Sequence, residues 1–109
     1  MKSKLELIPF VEKELKIDQI LNNLVSDQDS DFIKNYYFNC LADAEYSFKI
    51  IEPFINKKKK ILEIGGGIHL LSFYLDYLGY NITSLEPGGF SNSVDKLRSK
   101  ILSIKLKKK

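Results

Sequence analysis

Glu63, the glycines at 65, 66 and 67, and Glu86 are the residues of this 109-residue chain whose types and spacing suit chemistry. They lie in the run KILEIGGGIHLLSFYLDYLGYNITSLE, from Lys60 to Glu86, which reads as strand, glycine turn, helix and second strand ending on an acid. A glycine turn between a parallel strand and its helix lets bare backbone approach a ligand, and amides at the helix start donate hydrogen bonds to a polar or anionic group. An acid closing the next parallel strand reaches the same crevice, where its carboxylate can accept both hydroxyls of a ribose. Glu86, twenty-three residues after Glu63, fills that position. All six glycines fall between Gly65 and Gly89, so the backbone freedom of the chain is gathered in one stretch.

The glycine spacing narrows the nucleoside. The dinucleotide fingerprint asks for a third glycine at position 70, where this chain has Leu70, so a pyrophosphate site is disfavoured. No Gly-Lys-Ser/Thr triplet follows the turn, which excludes a P-loop. What remains is acid-x-Gly-x-Gly, as Glu63, Gly65 and Gly67, with LEP downstream at Leu85 to Pro87. This resembles motif I of the class I S-adenosylmethionine-dependent methyltransferases over roughly residues 57 to 90. The resemblance implies S-adenosyl-L-methionine as cofactor. By the same resemblance Glu63 lies near its methionine portion, Gly65, Gly66 and Gly67 pack under its amino-acid end, Glu86 holds its ribose, and Pro87 lies close to the adenine.

The chain departs from that family in two places. His69 stands where the family usually has a further glycine, and it is expected either to meet the cofactor carboxylate or substrate or, in the favoured reading, to begin the helix facing solvent. The family's later strands, with the groups that contact adenine and face the transferred methyl, have no counterpart after Gly89. The expectation is therefore a truncated member, a cofactor-binding half in which no catalytic residue is assigned and independent methyl transfer is in doubt. The alternative is a non-catalytic interaction protein or relic, whose helices and exposed sheet edge bind a partner.

The elements that must position these residues follow from the apolar spacing. Ile17, Ile20, Leu21 and Leu24 recur at helical intervals, and Leu5, Ile8, Val11 and Leu15 carry the stripe back past Pro9. The polar cluster Ser26 to Asp31 ends that segment and caps a helix starting near Asp31. Ile33, Tyr36, Tyr37, Cys40, Leu41, Ala44, Phe48, Ile51 and Ile55 form its predicted buried face, up to Pro53. Its aromatic residues are read as core and rim in preference to a substrate pocket, and Cys40 as a small buried thiol. Ile61, Leu62 and Ile64 predict a short apolar strand, and a helix from about His69 to Tyr77 leaves only Ser72 and Asp76 for water. Gly79 ends that helix. Ile82 to Leu85 form a second strand, which so short a strand-helix-strand run makes parallel to the first. Val94, Leu97, Ile101 and Ile104 predict a last helix, with Ser91 as its cap.

The fold expected is α/β: an incomplete Rossmann-like methyltransferase fold with two parallel strands and helices, preceded by an α-helical cap. Residues 1–56 make the cap, 57–104 the partial cofactor-binding unit, and 105–109 a basic tail without order. Two strands alone leave an edge and a face uncovered, which points to self-association.

Composition agrees with a single small domain: 44% of residues are hydrophobic and 28% charged. No apolar stretch is long enough to span a bilayer, and the charged N-terminus lacks a secretory core, so the expected compartment is the cytoplasm. One cysteine, Cys40, and one histidine, His69, exclude an internal disulfide and disfavour a zinc-type metal site. The net charge of +3 is uneven. Lys96 to Lys109 holds seven basic residues and no acid, which leaves the preceding body acidic. Both the basic end and the run Lys57 to Lys60 read as solvated surface, and nucleic-acid binding is disfavoured.

Overall fold

The structure, a computed structural model, describes residues 5–24, 30–86 and 92–103. Among these residues it is a mixed helix and sheet arrangement with two parallel strands and five α-helices. No helix among them is long and apolar enough to cross a membrane.

Helix α1 (Leu7–Phe10) accommodates Pro9 because the first turn of a helix has amides without intrahelical partners. It widens into a π turn over Val11–Leu15 that stops at Lys16, left-handed at φ 53°. This wider winding changes which side chains are covered: Leu7 and Phe10 join Val11 and Leu15 in the core, while Leu5 and Ile8 are only half-buried. Helix α2 (Ile17–Leu24) buries Ile17 and Leu21. Helix α3 (Ser30–Ile51) covers Ile33, Tyr37, Leu41 and Ala44, leaves Tyr36, Cys40, Phe48 and Ile51 half-buried, and gives way to a 3-10 turn at Pro53. Tyr46 and Phe38, part of the aromatic group on α3, are exposed.

Strands β1 (Lys60–Ile64) and β2 (Asn81–Leu85) run parallel, with Glu63 opposite Ser84 and Ile64 opposite Leu85. Helix α4 (Leu70–Leu78) connects them and ends at Gly79, whose φ of 100° suits glycine. Lys57 to Lys60 are exposed, and the Lys57 ammonium lies 5.7 Å from the Tyr80 ring centroid. Among the described residues the sheet is covered on one face only. Ile61, Glu63, Ile82 and Ser84 turn inward and are half-buried, whereas Leu62, Ile64 and Leu85 on the other face are 57%, 79% and 52% exposed. The apolar residues predicted for β1 are thus divided between its two faces, Ile61 inward and Leu62 and Ile64 outward, because side chains alternate along a strand.

Helix α5 (Asn92–Leu102) returns against α2 and buries Val94, Leu97 and Ile101. Ser91, Ile104, most of the 26–31 polar cluster and the 105–109 tail lie outside the described residues. One core runs from Leu7 and Phe10 through Ile33, Tyr37 and Tyr74 to Ile101, so the helical cap and the strand-helix-strand unit share a single interior. The link is specific as well as apolar. Phe10 lies against the rings of Tyr74 and Tyr77 at centroid distances of 5.5 and 4.5 Å. The Leu5 amide donates to the Tyr77 hydroxyl at 3.0 Å, and the Tyr74 hydroxyl donates to the Leu5 carbonyl at 3.1 Å.

Candidate functional site

The parallel register brings the ends of β1 and β2 side by side, and with them the glycine turn and Glu86. Gly65 and Gly67 have φ of +73° and +59°, which side-chain-bearing residues rarely adopt. A Cβ at Gly66 would run into the Ser84 hydroxyl and come within 2.6 Å of the Glu63 Oε1, so those side chains would have to shift to admit one.

The turn amides are not free. Gly65 donates to the Leu85 carbonyl at 2.8 Å, Gly66 to the same oxygen at 3.5 Å, and Gly67 to Glu86 Oε1 at 2.9 Å. A carboxylate of the chain itself therefore takes the position where an anionic ligand group was expected to bind.

Behind the turn a chain of polar contacts joins three elements. Ser84, paired with Glu63 by the strand register, donates its hydroxyl proton to Glu63 Oε1 at 2.7 Å. Its oxygen is then the acceptor for His69 Nδ1 at 2.9 Å, which fixes the imidazole proton on Nδ1. Nε2 is left to accept from Arg98 Nε at 3.3 Å, and Arg98 also donates to the Glu86 carbonyl at 2.8 Å. Burial and then the Arg98 charge push the His69 pKa below its ordinary value, against the opposing pull of Glu63 and Glu86. The ring is thus a neutral structural link. It is not a poised nucleophile activator, since the acid holds the serine proton itself.

This corrects the expectation that His69 faces water: it is only 4% exposed. Its backbone is left-handed, φ 66°, the conformation for which glycine is the usual residue. Ser72 is likewise drawn inward, donating to the His69 carbonyl at 3.0 Å.

Glu63, Gly65, Gly66, Gly67 and Glu86 line one cavity of about 470 Å³ between the strand ends and α3. Pro87 lies outside the described residues. The opposite wall comes from α3 and includes Tyr36, Asn39, Cys40 and Asp43, which the sequence pattern assigned to core, rim or no role. Three carboxylates, Asp43, Glu63 and Glu86, line the cavity with no Lys, Arg or His side chain among the described residues. Such a lining suits a neutral or cationic guest and opposes a phosphate. Compared with models of known protein families, with curated proteins and with solved structures, the chain has no match.

Proposed function

We propose that this chain is an S-adenosyl-L-methionine-binding protein of the class I methyltransferase type, its strand-helix-strand unit forming part of a Rossmann-like fold. The observation that carries the reading is the Glu86 carboxylate, hung on the Gly67 amide at 2.9 Å and lining one cavity with Glu63 and the glycine turn. A ribose diol needs such an acceptor, and a sulfonium compound needs an acidic lining without phosphate-binding amides. The left-handed backbone at His69 supports the same reading, because that is where the resembling family carries a glycine.

The residues present fit the cofactor. Glu86 would accept the ribose hydroxyls, Gly65 to Gly67 would give the amino-acid end close approach to backbone, and Glu63 would place negative charge near the methionine portion. The bound cofactor supplies an electrophilic methyl group for in-line transfer to an acceptor. This chain's own contribution is binding and orientation.

Calorimetry with S-adenosyl-L-methionine tests the reading. The wild-type chain should bind, and Glu86→Ala should weaken binding by about tenfold or more, the loss expected when a charged hydrogen-bond acceptor is removed. Absence of heat from the wild-type protein would discard the assignment.

A second reading, association with another copy of the chain, is favoured by the uncovered sheet face. Leu62, Ile64 and Leu85 lie together on it, and neither outer strand edge has a partner among the described residues.

A further inference from the structure

Glu63 and Glu86 line the cavity, whereas Ser84, His69 and Arg98, which hold them from behind, stand outside its lining. Arg98, half-buried on α5, reaches toward both acids. Its Nη2 donates to the Glu86 carbonyl at 2.8 Å, tying down the backbone of the residue whose carboxylate accepts from the Gly67 amide. Its Nε, 3.3 Å from His69 Nε2, begins the chain that runs through Ser84 to Glu63.

The direction of that chain is set at its Arg98 end. A guanidinium has donors and no acceptor and stays charged, so His69 Nε2 must offer it a lone pair. The neutral imidazole then keeps its one proton on Nδ1 and donates it to Ser84, which leaves the Ser84 hydroxyl to donate to Glu63 Oε1. With the ring proton on Nε2 the order reverses: Nδ1 becomes an acceptor, draws the Ser84 hydroxyl to itself, and Glu63 loses that donor. Resting on the proposed cofactor reading, we propose that Arg98 is a positioning residue for the cofactor site, fixing Glu86 through its backbone carbonyl and Glu63 through the placement of the His69 proton. Both contacts are made to neutral groups, a carbonyl and an imidazole, so they orient the acids without the ion pairing that would offset the charge a sulfonium guest needs.

The experiment combines titration calorimetry with nitrogen NMR on the full chain. His69 is the single histidine, so its ring nitrogens give signals free of overlap from another imidazole. S-adenosyl-L-methionine is titrated into wild type, Arg98→Met and Arg98→Lys, with thermal melts as the control for folding, and long-range proton–nitrogen correlations at neutral pH report which ring nitrogen carries the proton. Wild type should carry it on Nδ1. Arg98→Met, which removes both donors and keeps an apolar stem, should bind about tenfold more weakly, with the ring proton shifted toward Nε2. Arg98→Lys keeps the charge, but one ammonium nitrogen cannot stand at both donor positions, and it should lose about threefold. Wild-type affinity in a folded Arg98→Met, a weakened Arg98→Met whose ring proton stays on Nδ1, or a wild type with the proton on Nε2 would overturn the inference while leaving the cofactor reading intact. Failure of the wild type to bind would overturn both. If Arg98→Met does not fold, Arg98→Lys decides, and wild-type affinity there overturns the inference.

Discussion

His69 combines two opposed effects in one side chain. Its left-handed backbone costs roughly 1–2 kcal/mol for a residue with a Cβ. Its ring bridges Ser84 and Arg98, and buried hydrogen bonds of that kind each return about 1 kcal/mol. His69→Gly relieves the first effect and loses the second, whereas His69→Ala keeps the strain and loses the bonds. Urea denaturation should therefore find the glycine variant more stable than the alanine variant by about 1 kcal/mol. The ring also predicts a pH dependence. Its folded pKa is depressed below 6.5 by burial and Arg98, so as pH falls through 6.5 the unfolded chain takes up a proton that the folded chain refuses. Stability is unaffected above that pH and declines below it until the folded pKa is reached. His69→Asn, which tolerates the left-handed backbone and can still donate to Ser84, should lack this decline when melts are compared from pH 8 to 5. The pairing of Glu63 and Glu86 at one crevice was legible in the sequence, since parallel neighbours end at the same side. The burial of His69 was not, because Arg98 lies twenty-nine residues away on α5 and nothing local announces it.

Among the elements, the helix periodicities were readable where winding is regular. The stripe on α3, the stop at Pro53 and the cap at Gly79 all appear where spacing put them. The first helix differs because a π turn shifts the covered face onto Leu7 and Phe10, and apolar spacing drawn at α-helical intervals cannot register that change. Tyr36 was hidden for another reason: residues at the margin of a helical stripe have the same spacing whether they meet core or cavity. Phe10, fully buried against Tyr74 and Tyr77, joins α1 to α4. Phe10→Ala should cost about 3–5 kcal/mol, enough to remove much of the stability of a chain this small. A urea midpoint shift checks it.

At the scale of the whole molecule, one interior unites the helical cap with the strands, while the sheet presents its other face to solvent. The sequence anticipated an uncovered sheet from the count of two strands; it could not say which side would be bare, since the more apolar side, Leu62, Ile64 and Leu85, is the one left outside, while Glu63 and Ser84 turn inward beside Ile61 and Ile82. If a second copy covers that face, sedimentation should show mass rising with concentration, and Ile64→Lys should hold the protein at monomer mass by placing a charge at the most exposed aliphatic position on it. A wild-type protein monomeric at every concentration would remove the association reading and leave the cofactor reading standing.

The two phenol contacts to Leu5 carry a practical consequence. Because the Leu5 amide proton is held by Tyr77, it can trade with deuterated solvent only when that backbone parts from α4. The exchange rate of this single proton is a clock for how often the amino-terminal strap lifts away, and slowing of it by a ligand seated at the other end of α4 would measure how firmly the two ends of that helix are coupled.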